Sequence, residues 1–470
     1  MSRPLLLALR SEVTLDRSTG RARMAAPWAG LPLPDAAAPE RAPVDRLLRG
    51  PASADELNAL ASATGTTGLA RWMLWSARAR QRGLLCYRLQ ADDGALLADL
   101  VATTPAAPDF MIQTPGAVTG VRVQLSRFAV LHRGRQGMIL ESPCATMRAE
   151  VSPEAAAALA AFAVPMTVDD APQVMQAFGA AESRTFLAAL LAAGLLGAVG
   201  DDGLMAEERD AVLSQWEFQD LLLHARSRTN RPDEPRGATF RFAGIRPAPP
   251  AVNHAGTAPE IILERPDLAR LIAEDPPLAR VMEDRASRRD LGKLTISQLG
   301  EFLFRTMRVR GMGPPVIQPH DYPATARPYP SAGGMYELTT YLAVSDCTGL
   351  PAGLYRYDPL HHGLNLVAPP GPHVDRLLVD ASSAALLPAA PPVLVLLAAD
   401  FRRLSWKYEG IAYSLMLKNV GVLFQSMQLA AVAMGLGSCP LGAGDSEVFA
   451  RAARTDALEE SSVGELLLGS

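Results

Sequence analysis

The sequence predicts an α+β chain in which a duplicated strand–helix–hairpin unit precedes a single mixed domain. Three observations carry this expectation. The first half repeats one pattern of paired strands, helical segments and a closing hairpin over Asp-Asp-Gly, at 92–94 and again at 201–203. After residue 265, amphipathic segments alternate with strand-like runs, one of them wholly apolar. A length of 470 residues exceeds what one core usually serves and points to two or three domains.

In the first copy, residues 5–17 and 22–34 read as a hairpin with its turn at Ser18-Thr19-Gly20. Helices follow at 44–50, 53–63 and 68–85, the second with Ser53 and Glu56 as a capping box. Residues 86–100 close the unit as a hairpin with an Asp-Asp-Gly turn. The second copy begins near Val121, with a hairpin over 121–140, helices at 151–163, 168–178 and 183–196, and a hairpin over 196–207. The last helix of each copy ends in Gly-Leu-Leu, at 83–85 and 194–196. Strand pair, three helices and a β-wing is the order of a winged helix.

Residues 214–228 read as a helix, and the Pro- and Gly-rich stretch 230–260 as an extended segment packing on the domain that follows. Helices are expected at 265–274, 277–286, 295–309 and 373–387. Residues 335–346 alternate as a strand, 353–367 form a hairpin turning at His361-His362-Gly363, and 391–400 is apolar enough for a central strand. Residues 411–436 form a long apolar helix, expected to be buried on most sides and to end at Gly435 or Gly437. The last ten residues read as a final strand.

Composition excludes several classes. A net charge of −4 gives no footing for nucleic acid or an anionic membrane. The third helix of the first copy carries Arg71, Arg78, Arg80 and Arg82, but its counterpart only Arg184, which argues against a matched pair of DNA readers. Peptide docking on a wing or hairpin edge, or a purely structural role, are the alternatives. Cys86, Cys144, Cys347 and Cys439 have neither disulfide-framework nor zinc spacing, so no metal is expected and a cytoplasmic location is. The N-terminus lacks a signal-peptide pattern, and no stretch was expected to reach the length of a membrane span.

Of the 45 basic residues, only Lys293, Lys407 and Lys418 are lysines. Arginine cannot give up its proton in a protein, whereas lysine can be tuned to do so. A lysine kept against this background marks a candidate site. Structural alternatives stand beside it: an ion pair of Lys407 with Asp400 or Glu409, and core packing for Tyr408. Three further segments suggest ligand binding. Arg285, Ser287, Arg288 and Arg289 crowd cations that a phosphate would relieve, with Asp284 and Asp290 as the plainer partners. Pro330-Ser331-Ala332-Gly333-Gly334 lets backbone approach a ligand, as does Leu436-Gly437-Ser438. Neither a GxGxxG after a strand nor a Walker pattern is present. Weaker candidates are His361-His362, given no metal role, His224 as a core or interface histidine, Arg402-Arg403 as solvated surface, and Met416, Met427 and Met434 as core.

The order RASRR (285–289), PYPSAGG (328–334), GLYRYDP (353–359), WKYEGIAYSLMLKNVG (406–421) and MGLGSCPLG (434–442) resembles the nitroreductase-like flavoproteins. Within them it is similar to the SagB-type, or thiazole/oxazole-forming, peptide dehydrogenases, in particular the cyanobactin oxidase branch. The resemblance runs from Trp216 to the end. It implies two winged-helix-like peptide-clamp units at 1–115 and 116–213, a connector at 214–264 and an FMN-binding dehydrogenase domain at 265–470. Arg285, Ser287 and Arg289 would hold the FMN phosphate; Pro330 to Gly334, with Leu436, Gly437 and Ser438, would border the flavin. Lys407 and Tyr408 match the Lys-Tyr couple of azoline oxidation. Relatives carry Glu-Ala-Gly-His where this chain has 418–422, which leaves Lys418 without a role. The implied activity is oxidation of thiazolines or oxazolines to azoles in a ribosomally made peptide, with oxygen as final acceptor. The implied assembly is a homodimer with FMN at the interface, meeting a precursor peptide, its leader and a cyclodehydratase. The rival activities are NAD(P)H-dependent nitro or flavin reduction, and non-catalytic leader-peptide binding.

Overall fold

A computed structural model describes residues 5–18, 22–104, 118–134, 137–228, 230–253, 259–313 and 320–470. The chain divides into two compact units, 1–236 and 237–470.

The N-terminal unit is organised by one seven-stranded sheet. Leu6–Leu9 does not take part in the expected first hairpin; it lies inside the sheet between Ala52–Ser53 and Leu85–Gln90. The hairpin itself forms from Thr14–Asp16 and Arg23–Ala26, with Ala29–Pro32 added; residues 19–21 of its turn lie outside the described residues. The division follows burial: Leu7 and Ala8 are buried, whereas Thr14 and Leu15 are exposed. Helices Arg41–Leu48, Ala54–Ser62 and Thr66–Gln81 then lead to the hairpin Leu85–Gln90/Leu96–Ala102. Ser53 accepts the Glu56 amide at 3.1 Å, while the Glu56 carboxylate turns to Arg46.

The sheet runs on into the second copy. Leu96–Ala102 pairs with Met147–Val151, which continues through Met138–Glu141 to Val130–Arg133. Arg122–Leu125 leaves the predicted hairpin and pairs with Met166–Thr167 and Leu196–Ala198. The helix expected over 168–178 is reduced to a single 3-10 turn at Ala171–Gln173, where Pro172 removes a backbone donor.

Residues 226–236 are locked to this unit by charge. Arg10 and Arg148 converge on buried Asp233, and Arg231 on Glu141. Burial would raise the Asp233 carboxyl, but Arg148 and Arg10 outweigh it and hold the group below the usual carboxylate range. The extended stretch therefore does not pack on the second unit along its whole length. From Gly237 onward it belongs there, with Phe240 in the core and its amide donating to the Lys407 carbonyl at 3.0 Å.

The C-terminal unit has a seven-stranded antiparallel sheet ordered Ile261–Ile262, Gly363–Ala368, Gly353–Asp358, Leu338–Val344, Val393–Asp400, Glu460–Gly469, Gly437–Leu441. Val393–Asp400 is buried at every position. Val393, Val395, Leu397 and Ala399 face the core with helices Ile296–Met307 and Ala412–Ala433. Leu394, Leu396 and Ala398 face helices Pro372–Ala385 and Ser446–Ala453. Period-2 alternation thus builds two cores from one strand.

The long helix Ala412–Ala433 departs from expectation in two respects. It buries one stripe, Met416, Asn419, Val420, Leu423, Met427, Gln428 and Ala431, while Tyr413, Leu417 and Val422 are exposed. Its 22 residues are also long and apolar enough to cross a membrane by composition alone, although this stripe packs in the core of the unit. It ends as foreseen, with Gly435 in the left-handed region at φ 69°.

Candidate active site

The loop 330–334 is built to expose backbone. Ser331 is extended, and Gly333 and Gly334 sit at φ 60° and 67°, where a Cβ is strained. A buried amide–carboxylate clamp holds it. Asn419 accepts the Ala332 amide at 3.2 Å and donates to Glu337 at 2.8 Å and to Ser331 Oγ at 3.2 Å. Ser331 Oγ donates to Glu337 at 3.1 Å and accepts the Tyr336 amide at 3.0 Å. Burial pushes the Glu337 carboxyl up, against the hydrogen bonds from Asn419 and Ser331. Arg403 was expected at the surface; it is buried, bonded to the Met335 and Pro250 carbonyls. Desolvation brings its pKa down to about 10. Arg402 pairs with Asp400 and Glu459.

Lys407 ends the helix Phe401–Lys407, capped at its start by Asp400. Neither carboxylate considered as its partner takes it. Asp400 is bound by Arg402, and Glu409 accepts from Thr239 and pairs with Arg241. Lys407 Nζ instead donates to Tyr322 Oη at 2.6 Å, and Tyr322 donates to the Gly333 carbonyl at 2.7 Å. The ammonium lies 4.8, 5.3 and 5.5 Å from the ring centres of Tyr322, Tyr408 and Phe240. A Cβ on residue 333 would stand 2.6 Å from both Lys407 Nζ and the Tyr408 hydroxyl. The Lys-Tyr pair and the glycine loop therefore meet. Beside them a cleft of roughly 550 Å³ opens, lined by 243–248, His320, Asp321 and Trp406.

The other predicted ligand groups form a second cluster. Arg285, Ser287 and Arg289 follow the helix Leu278–Asp284 and are not buried. Asp284 pairs with Arg280, and Arg285, Arg288 and Arg289 make no ion pair among the described residues. The Arg288 amide donates to the Ser438 carbonyl at 2.9 Å, and a Cβ on Gly437 would meet Leu291 at 2.9 Å and Arg288 at 3.5 Å. Residues 285–289 and 436–438 thus meet. The first cluster is anchored at Asn419 and the second lies beyond the helix end at Gly435, on the order of 20 Å apart by helical rise. Within one chain, 330–334 and 285–289 do not adjoin.

Tyr322, Asn419 and Glu337 escaped the sequence reading. A glutamate inside an apolar alternating strand was a usable signal for Glu337, and the break in the expected 418–422 pattern was one for Asn419. Tyr322 gave none, because its partner is 85 residues away. His362 is buried between Tyr357 Oη at 2.8 Å and the Glu264 carbonyl at 3.1 Å, and His361 pairs with Asp358. His224, expected in a core or interface, is exposed against Trp216. Met416 and Met427 are core, Met434 is half-buried and Lys418 is exposed. Among the described residues, no group of three His, Cys, Asp or Glu side chains is placed to hold a metal.

Residues 123–233 match the family model for the cyanobactin oxidase ThcOx, and residues 323–469 that of the nitroreductase family. A protein of Methanocaldococcus jannaschii described as a nitroreductase is 27% identical over 186 residues, covering 38% of this chain and 83% of the relative. A solved nitroreductase-type structure from Ralstonia eutropha JMP134 aligns at 22% identity and TM-score 0.35, over 48% of this chain and 98% of that one. The E. coli microcin synthetase complex McbBCD with truncated pro-MccB17 bound aligns at 18% identity and TM-score 0.33, over 52% of this chain and 84% of that chain.

Proposed function

The chain carries a cyanobactin-oxidase segment ahead of a nitroreductase-family domain, and from that premise we propose that it is an FMN-dependent oxidoreductase converting azolines to azoles in a ribosomally made peptide. The observation that carries the reading is Lys407, which has no carboxylate partner among the described residues and is held by Tyr322 against the glycine loop beside Tyr408.

The residues present fit FMN. Arg285, Ser287 and Arg289 offer a turn whose two guanidiniums make no ion pair among the described residues, suited to a phosphate, and a Cβ on Gly334 would meet only open space. Pro330 to Gly334 would face the ring system, with Leu436, Gly437 and Ser438 closing the phosphate side. Bound FMN supplies the acceptor for the hydride that leaves the azoline. The chain supplies the rest. The azoline carbon beside the carbonyl is acidic enough for a positioned base. Lys407 takes that proton at Nζ, and Tyr408 orients the ring. The ring carbon beside the carbonyl loses its proton, the adjacent ring carbon loses a hydride, and the C=C bond between them completes the azole, the C=N bond being already present in the azoline.

The separation of the two clusters supports a homodimer, in which 285–289 of one copy meets 330–334 of the other, with Tyr413, Leu417 and Val422 on the covered face. In the N-terminal unit, the strand Val130–Arg133 is outermost in its sheet among the described residues and is suited to a leader peptide, with clamp units at 1–115 and 116–213 and a connector at 214–264. A cyclodehydratase would deliver the azoline. A cytoplasmic location suits four free cysteines.

The test is direct. Purified chain should be yellow and release FMN on denaturation, and it should remove two hydrogens per azoline ring from a heterocyclised peptide. Lys407→Ala should keep the flavin and lose azole formation. Rapid bleaching by NADPH with no action on azoline peptides would replace this reading with that of a nitro or flavin reductase.

A further inference from the structure

We propose that Tyr322 is the positioning residue of the Lys407 base, through a hydroxyl link that ties the amine to the glycine loop. The inference rests on the azoline-oxidation reading for its chemistry but not for its geometry.

Tyr322 is buried at 2% exposure, yet its hydroxyl is doubly engaged, accepting from Lys407 Nζ at 2.6 Å and donating to the Gly333 carbonyl at 2.7 Å. Both bonds have fixed direction: a carbonyl only accepts, so the tyrosine proton points to Gly333 and its lone pair to Lys407. One Lys407 hydrogen is thereby held inward. In the neutral amine, the remaining lone pair is restricted to the other side, next to Gly333 and Tyr408. A lysine side chain has many rotamers, and the freedom lost on ordering it counts against turnover if the substrate alone must do so. Tyr322 orders it in advance, which is where a base gains rate through proximity.

The rings do a separate task. Phe240 packs edge-on to Trp406 with centres 5.7 Å apart, and Phe240, Tyr322 and Tyr408 surround Nζ. Their faces favour the ammonium that exists after proton transfer. Hydroxyl link and ring cage can therefore be separated by mutation. Tyr322→Phe removes the link and keeps the ring; Phe240→Leu trims the cage and keeps the link.

Because the chain has only three lysines, lysine labelled with 13C at Cε gives three signals, assigned with Lys407→Arg. Lys293, paired with Asp346 at 2.6 Å, and exposed Lys418 serve as internal references and report correct folding. In the full FMN-loaded chain, Tyr322→Phe should move the Lys407 signal and leave the other two in place. With azoline peptide, it should lower kcat about tenfold or more at unchanged KM and flavin content. It should also raise the primary isotope effect for deuterium at the ring carbon that loses its proton, which a loss of folded enzyme would not do. Phe240→Leu should lower kcat less than Tyr322→Phe. An unmoved Lys407 signal in Tyr322→Phe overturns the link, whatever substrate the wild type takes. So do equal kcat losses in the two variants, or an unchanged isotope effect. Wild-type chain that leaves azolines untouched, with the Lys407 signal still moved, sinks the proposed reaction and leaves the positioning role supported.

Discussion

Two polar clusters in this chain treat their basic side chains in opposite ways. In the N-terminal unit, Arg10 and Arg148 are answered by Asp233, with Glu150 and Glu234 around them. In the C-terminal unit, Lys407 is answered by a hydroxyl and three rings. The first arrangement pairs both guanidiniums with carboxylate and ties a chain segment to a sheet. The second holds the Lys407 amine with no carboxylate partner among the described residues, the setting that the proposed base calls for. On the proposed reading, pairing with carboxylate separates the structural cations Arg10 and Arg148 from Lys407.

The contrast can be broken most forcefully at Lys407. Lys407→Arg keeps a cation of similar reach but cannot yield its proton, so azole formation should fall by about a thousandfold while FMN content holds. Turnover within a few-fold of wild type would show that charge, not proton transfer, is what the position supplies. Next in size is Asp233→Ala, which leaves Arg10 and Arg148 buried without their shared carboxylate. Removing one partner of a buried pair costs about 3–5 kcal/mol, read as a fall in the denaturant midpoint of the N-terminal unit.

The same carboxylate predicts a pH dependence. Its folded pKa lies below the unfolded value of about 3.9, so its stabilisation is fully present above that value and is lost as pH falls through the lower folded one. Acid unfolding of the wild type should steepen below about pH 4, and Asp233→Ala should flatten that limb.

A sharper probe of the chemical cluster is Gly333→Ala. Its Cβ meets Lys407 and Tyr408 at 2.6 Å and is strained at φ 60°. A displacement of this size should cost about a hundredfold in kcat, and the left-handed backbone should lower thermal stability by about 1–2 kcal/mol. A kcat near wild type would mean the loop and the lysine act apart. The smallest effect belongs to a site outside both clusters. Ser53→Ala removes the N-cap of Ala54–Ser62 and should cost about 1 kcal/mol, seen in thermal unfolding with turnover unchanged.

Much of this was written locally. The run 391–400 is apolar at almost every position, which dictates a strand covered on both faces, and it is the central strand. Gly435 could be named a helix end because only a residue tolerant of positive φ serves there. Scarcity of lysine singled out Lys407 because arginine fills nearly every other cationic position. Pairing partners were another matter. Leu6–Leu9 has the alternation of a hairpin strand, but alternation does not say which neighbour it meets, and burial of Leu7 and Ala8 took it inside a sheet, next to its edge strand. The apolar residues of the long helix implied a core on most sides; the fold covered one stripe and left Tyr413, Leu417 and Val422 outside.

The sequence by itself determined most element types and the end of the long helix, because these depend on the covalent character of single residues and on short periods. Only the tertiary structure decided that Tyr322, Gly333 and Lys407 form one linked set, that Asn419 and Glu337 clamp the loop, and that 285–289 lies far from 330–334 along the helix. Those contacts join residues distant in sequence, and hydrogen bonds between them depend on distances and directions set by the packing of whole strands and helices.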